Sequence, residues 1–349
     1  MSSGIAHVPD RICIVMMSAV GDAVHVLPVI NALKRANPAT TITWVLQPGA
    51  AALVRGHRSV DEIVLFDRTK GLNAFTEIRD QLASRTFDLV INLQVYLKAG
   101  IVTGFTRAPI KLGFDRARAR DFNWLFTNRK IVARPMQHVQ NQYFEFLTEL
   151  GVPPHPVVWD LGPWEGEREW QRTFASSIDR PIASIVVGTS KPEKDWIPER
   201  WAEVADALHD DFGMKVVLVG GKSEREVAAE RTVMERARTK PRSELGSGLR
   251  KLVSILDASS LVLSPDTGPL HMSVALDRPV ISLMGYTNPR RTGPYRRFHD
   301  LIVDAYGNPG EDYPISMENR PGRMKRIETR DVLKKVELWR DRYASVRSL

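Results

Sequence analysis

Four stretches of this chain carry side chains whose types and spacing suit an anionic, oxygen-rich substrate. Residues 16–30 read MMSAVGDAVHVLPVI, a Ser-Ala-Val-Gly-Asp turn running into a segment of helical period. The N–H groups of a helix start have no intrahelical acceptor, so that turn favours an anionic ligand or the Asp22 carboxylate itself, Asp22 then being a plain N-terminal cap. Residues 261–285 read LVLSPDTGPLHMSVALDRPVISLMG. There an apolar strand breaks at Ser264-Pro265, Asp266-Thr267-Gly268 makes a turn, and a helix begins with His271 one turn in. Main-chain donors of Thr267 and Gly268 and the Thr267 hydroxyl would converge at the positive end of that helix, a spot suited to a diphosphate. The plainer reading makes Asp266 the cap and His271 a half-buried surface residue.

The third stretch, VVGTSKPEKDW, sets Thr189, Ser190, Lys191 and Lys194 in one loop after a strand, hydroxyls and ammonium groups suited to phosphate oxygens. The related VVLVGGKSEREV offers Glu224 or Glu226 to sugar hydroxyls, although both carboxylates also favour the first turn of a helix. Fourth, residues 98–134 hold nine Lys and Arg against Asp115 and Asp121. That surplus fits a negatively charged acceptor, an acceptor set in an anionic leaflet, or a solvated basic face. No helix-turn-helix, zinc knuckle or RRM signature accompanies it, which speaks against nucleic acid. The first turn lacks G-x-G-x-x-G, which speaks against a dehydrogenase, and the absence of H-E-x-x-H, Asp-x-Asp or a Cys cluster gives no default metal site.

These loops need elements to hold them. The chain has 349 residues, 43% of them hydrophobic and 26% charged, with a formal charge of +8, which suits about two globular domains and a polyanionic partner. A lone cysteine, Cys13, excludes an internal disulfide and favours a reducing compartment. No run of 18 apolar residues occurs. Residues 12–30 imitate a signal peptide, but Asp22 and His25 interrupt them, and the segment reads as retained structure. Short β-branched runs alternate with helical periods, the pattern of parallel βα units. Strands are expected at 12–16, 42–46, 62–66, 88–93, 182–187, 215–219, 261–263, 280–283 and 301–303. Helices are expected at 22–36, 71–84, 138–150, 198–212, 223–238, 249–258, 268–276 and 329–348. A proline-rich stretch, 152–163, parts two halves, so the expectation is an α/β chain of two doubly wound domains facing a central cleft. Ligand loops should follow the carboxyl ends of strands.

On RICIVMMSAVGDAVHVLPVINALKRANPATTITWV, DLVINLQVYLK, the Arg120-Asp121 pair, GTSKPEKDW and SPDTGPLHMSVALDRPVISLMG, the chain resembles the heptosyltransferases of lipopolysaccharide core biosynthesis, glycosyltransferase family 9. The resemblance runs in order across most of the chain. It implies a GT-B fold: residues 1–160 an acceptor-binding Rossmann-like domain, 161–328 a nucleotide-sugar-binding one, and 329–349 a helix packing back on the first. It implies metal-independent transfer with inversion from a nucleotide sugar, ADP-heptose or another, to an anionic inner-core glycolipid, with no bound cofactor. Asp22 then matches a general base, and Lys194 a residue of the chemistry and of donor binding. Thr189, Ser190, Asp266, Thr267, Gly268 and His271 match the donor site, Glu224 or Glu226 the nucleoside, and Lys98 and Arg120 the acceptor site. It also implies a cytoplasmic protein, peripheral on the inner face of the membrane. Met17 stands where many members carry Lys or Arg, Val95-Tyr96 replaces Gly-Leu, and residues 307–326 match nothing familiar. A GT-B nucleotide-sugar epimerase or a non-catalytic nucleotide-sugar-binding module would share the donor loops.

Overall fold

A computed structural model describes residues 7–344. Contacts divide the chain into two compact units, Met1–Asp160 and Leu161–Leu349. In chain order the first contains β1 (Arg11–Val15), α1 (Val20–Ala36), β2 (Thr41–Leu46), α2 (Pro48–Val54), β3 (Glu62–Leu65), α3 (Asn73–Ala83), β4 (Leu89–Asn92), α4 (Leu97–Phe105), β5 (Ile110–Gly113), β6 (Arg129–Lys130) and α5 (Val139–Glu149). The second contains α6 (Glu165–Ser176), β7 (Ile182–Val186), α7 (Pro198–Asp210), β8 (Lys215–Val219), α8 (Glu224–Arg236), β9 (Arg242–Ser243), α9 (Leu249–Ala258), β10 (Leu261–Pro265), α10 (Gly268–Ala275), β11 (Val280–Met284), α11 (Pro289–Thr292), β12 (Ile302–Asp304) and α12 (Thr329–Arg342).

Each unit is one six-stranded, wholly parallel sheet, ordered β3-β2-β1-β4-β5-β6 in the first and β12-β11-β10-β7-β8-β9 in the second. Both orders are the Rossmann 3-2-1-4-5-6 winding, in which the direction of winding reverses between the first and fourth strands and leaves a crevice at their carboxyl ends. In the first unit that crevice lies beside the loops after β1 and β4, and in the second beside the loops after β7 and β10. Helices cover both faces of such sheets, so central strands read as unbroken apolar runs: IASIV of β7 and VISLM of β11 are buried at every position. Cys13 lies wholly inside β1, where desolvation pushes its thiol far above the ordinary range and leaves it a packing residue.

Several elements escaped the sequence pattern for physical reasons. α4 contains Gly100 and Gly104, weak helix formers, because Phe126 lies on that face; a Cβ on Gly100 would stand 2.6 Å from the Phe126 ring. β6 and β9 have two residues each, too few to show a period. α12 differs in placement. Its stripe Val332, Val336 and Trp339 is buried against α7, β11 and β12, so the apolar face that the expectation had set on the first unit is used within the second. Positions 345–348 of that expected helix lie outside the described residues.

The unfamiliar segment 307–326 is a strap on the second unit. Arg320 lays its guanidinium 4.4 Å from the Tyr306 ring, binds Glu311 at 2.7 Å and donates its main-chain N–H to the Tyr286 carbonyl at 2.9 Å. Asn319 bridges Thr287. Further along, the backbone of Arg323 and Met324 passes so close to Gly285 that a Cβ there would meet Met324 N at 2.7 Å. Backbone cannot swing aside as a side-chain tip can. Gly285→Ala should therefore cost about 1 to 3 kcal/mol, seen as a lowered chemical-denaturation midpoint; an unchanged midpoint would show the strap to be free to shift.

Candidate functional site

The first unit presents Asp22. Gln94, just past β4, clamps the loop after β1 by accepting the Met17 N–H at 3.0 Å and donating to the Ser18 carbonyl at 3.0 Å. α1 then begins at Val20 with Ala19 as its cap, a residue with no acceptor of its own. Asp22, third in the helix, supplies it by reaching back to the Ala19 N–H at 2.8 Å. The other carboxylate oxygen accepts the Tyr143 hydroxyl of α5 at 3.1 Å. Gln140, one turn before Tyr143, pins α5 to α1 through His25 Nδ1 at 2.9 Å and the His25 carbonyl at 2.8 Å. The result is a partly exposed carboxylate held in one orientation by two donors, at the third helical position and not at the cap position.

Lys98, in the first turn of α4, and Arg120 are both exposed and lie on segments that are stitched together. Arg120 donates its main-chain N–H to the Val95 carbonyl at 2.7 Å, and Asn123 Nδ2 donates to the Tyr96 carbonyl at 2.7 Å. The basic surplus of the window is smaller in three dimensions than in the sequence. Arg118, half-buried, pairs with Asp115 and with Glu145 at 2.6 Å, and Arg129 pairs with Glu149 at 2.8 Å; Glu145 and Glu149 fall outside the window.

In the second unit the loops after β7, β10 and β11 meet on Asp266. Its carboxylate is buried, with Lys194 Nζ at 2.7 Å, the Thr287 hydroxyl donating to the same oxygen, and His271 Nε2 3.6 Å from the other. Burial by itself would raise this carboxyl's pKa. The Lys194 charge and the hydrogen bond and charge of His271 outweigh burial, and hold it far below the ordinary carboxylate range. Asp266 is thus not the helix cap, and His271 is buried, where the plainer sequence reading had it half-exposed. Thr267 takes the cap position of α10 without capping through its hydroxyl, and the Gly268 N–H, at the first helical position, has no intrahelical acceptor. Lys194 also donates to the Asp266 carbonyl at 3.2 Å, so two of its three N–H groups are engaged among the described residues and the third is available to a ligand.

The loop after β7 departs from its sequence reading. The Thr189 N–H donates to Asp195 at 2.8 Å, and the Thr189 hydroxyl lies within hydrogen-bond distance of that carboxylate and of the Lys191 carbonyl, at 2.8 and 2.6 Å. Arg225 of α8 pairs with Asp195 and donates to the Thr189 carbonyl at 3.0 Å. Thr189 therefore shapes the loop, while Ser190 stands exposed on it. Glu226 is taken up by capping α8: its carboxylate accepts the Gly221 N–H at 2.6 Å and the Ser223 N–H at 3.1 Å, and its stem lies on Gly188. That leaves Glu224, exposed in the first turn, as the carboxylate open to a ligand. Tyr143, Gln94, Arg225 and Thr287 carry no local signal, since each acts on a residue far away in sequence. Asp195 could have been suspected, standing beside Lys194 in the same loop. Among the described residues no group of three or more His, Cys, Asp or Glu is arranged to hold a metal ion.

Comparison with known proteins identifies the family and the fold. The family model for glycosyltransferase family 9 (heptosyltransferase) matches residues 75–312. The lipopolysaccharide core heptosyltransferase OpsX of Haemophilus influenzae is 30% identical over 88% of this chain and 90% of its own. Among solved structures, a family 9 glycosyl transferase from Veillonella parvula superposes with a TM-score of 0.80 at 24% identity, over 95% of this chain and 97% of its own. The heptosyltransferase WaaC of E. coli, solved with ADP, superposes at 0.73 and 24% identity, over 96% and 100%. The chain belongs to glycosyltransferase family 9, the heptosyltransferase family, and its two Rossmann-like units have the GT-B fold. It is a glycosyltransferase, which sets aside the non-catalytic binding module.

Asp266 generates a prediction in acid. Its folded carboxyl stays ionised below the unfolded value of about 3.9, so near and below that pH the unfolded chain binds the extra proton. Stability from this group is then complete above that value and declines as pH falls. Asp266→Asn should destabilise the second unit by about 3 kcal/mol near neutrality, because Lys194 loses its anion, and should flatten the fall in denaturation midpoint between about pH 5 and pH 2 that the parent shows. Parallel curves for the two proteins would remove Asp266 from that role.

Proposed function

We propose that this protein transfers heptose from ADP-heptose to a lipopolysaccharide inner-core acceptor, with inversion at the anomeric carbon and without a metal. The observation that carries the reading is the cation site at the crevice of the second sheet. There the open N–H of Lys194, the Gly268 N–H and the positive end of α10 gather where two negative charges would accumulate on a departing diphosphate. The relatives' names support heptose and lipopolysaccharide core, and a structural neighbour was solved with ADP. In this reading Asp266 does not touch the diphosphate; it aims Lys194. Thr189 keeps the loop in shape, Ser190 and Glu224 reach the donor, and His271 completes the donor loop. Lys98 and Arg120 hold the anionic acceptor. Asp22, aimed by Ala19 and Tyr143, takes the proton of the acceptor hydroxyl as that oxygen attacks the anomeric carbon from the face opposite the nucleotide. No helix among the described residues is long and apolar enough to cross a membrane. We place the protein in the cytoplasm, meeting its glycolipid acceptor at the inner leaflet.

General-base assistance is worth about 10² to 10⁴ in rate. Asp22→Ala should lose that much kcat while calorimetric affinity for the donor stays the same; an equal loss of affinity would assign Asp22 to donor binding. Calorimetry with ADP-, UDP-, GDP- and dTDP-linked ligands should give tight binding for the ADP ligand alone. The product should carry the anomeric configuration opposite to the donor's, with turnover retained in EDTA. Retention of configuration, or dependence on added metal, would overturn the mechanism.

A further inference from the structure

The large apolar side chains that stand exposed among the described residues all belong to the first unit: Leu72, Tyr96, Leu97, Phe122, Leu125 and Val132. Four of them fall on two adjoining segments. Tyr96 and Leu97 open α4, and Phe122 and Leu125 belong to the turn whose backbone and Asn123 side chain are bonded to the Val95 and Tyr96 carbonyls. We propose that this face, Tyr96, Leu97, Phe122 and Leu125 rimmed by Lys98, Arg116 and Arg120, docks the protein on the surface of an anionic lipid bilayer.

The local geometry sorts the side chains. Asn123–Phe126 is a 3₁₀ helix, in which residues three apart share a face. Asn123 and Phe126 point inward, Asn123 onto the Tyr96 carbonyl and Asn92, and Phe126 onto Gly100 and Gly104. Phe122 and Leu125, the other pair three apart, are left 66% and 61% exposed, and Tyr96 beside them 48%. Phe122 and the preceding Asp121 both take left-handed backbone, with φ of 61° and 50°. That conformation is uncommon for a bulky side chain, and here it presents an aromatic ring to solvent. Packing inside the unit gives no reason for this arrangement, because the fold could carry polar residues at all three positions. Three such side chains in a cluster are what an interface uses.

The charge around the cluster selects the partner. Lys98 follows Leu97, Arg120 precedes the turn, and the Arg116 guanidinium lies 4.4 Å from the Trp124 ring, with exposed Asp121 the one acid on these two segments. A water-filled protein interface would gain little from cations ringing bare apolar tips. A leaflet of anionic headgroups over acyl chains matches both parts at the depth each requires. Either signal alone binds reversibly and weakly, and the two together multiply. The proposal deepens the reading of a lipid-borne acceptor at the same loops, and its test needs neither donor nor acceptor.

The full chain is sedimented with vesicles of phosphatidylcholine alone or mixed with phosphatidylglycerol. Partitioning should appear on the mixed vesicles, fall as salt is raised, and be weak on the neutral ones. The double variant Phe122→Ser with Leu125→Ser should partition about tenfold or more weakly, with its denaturation midpoint unchanged because both residues are exposed. Arg116→Glu should weaken binding to the mixed vesicles. No partitioning at low salt, equal partitioning on both vesicles, or a double variant that binds like its parent would each overturn the proposal. So would a parent dimer, seen without vesicles, that the double variant breaks into monomers, since a second copy would then cover the face. Donor calorimetry in lipid-free solution tests the transferase reading separately, so failure of one leaves the other standing.

Discussion

A single buried carboxylate organises the second unit. Moving Asp266 out of water costs several kcal/mol unless its charge is met, and Lys194, Thr287 and His271 meet it from three different stretches of chain. Because the cost of losing any partner is high, the anion fixes the loop after β7, the start of α10 and the loop after β11 relative to one another. The strap of residues 307–326 holds the third of these through Asn319 and Arg320. The ammonium of Lys194 is thereby held in one place by the Asp266 carboxylate and carbonyl.

The two units use one winding for opposite electrostatic ends. Both place their loops at the crevice between the first and fourth strands of a parallel sheet. In the second unit the acid is buried and neutralised, leaving a cation and helix donors to face the crevice. In the first, Gln94 fixes the loop and Tyr143 holds an acid in a partly exposed position. The winding therefore decides where the loops gather, and the side chains brought there decide the charge that each crevice presents.

The first unit spends its basic residues in two ways that the linear count could not separate. Arg118 and Arg129 are internal ties to α5, whereas Lys98, Arg116 and Arg120 remain on the surface beside bare apolar side chains. A window of sequence sums charge regardless of burial, and the neutralising acids Glu145 and Glu149 lie beyond it. The same blindness to distance hid α4, whose two glycines argue against a helix until Phe126 is seen to need the space above them.

What the sequence determined by itself is what depends on near neighbours: apolar runs of strand length, the turns Ser-Ala-Val-Gly-Asp and Asp-Thr-Gly entering helices, and the proline-rich stretch between two α/β halves. From these the fold class and the loops at the strand ends were legible, because hydrophobic period and turn chemistry act over a few residues. The tertiary structure decided the partners of the side chains inside those loops. Asp266 becomes a positioning anion because Lys194 is 72 residues away and Thr287 is 21. Glu226 is drawn into capping α8 while Glu224 stays open, Thr189 binds its own loop, and α12 lies on α7. The pairing of Asp266 and the packing of α12 join residues far apart in the chain, where burial sets the energy, and burial is a property that no local stretch of residues possesses.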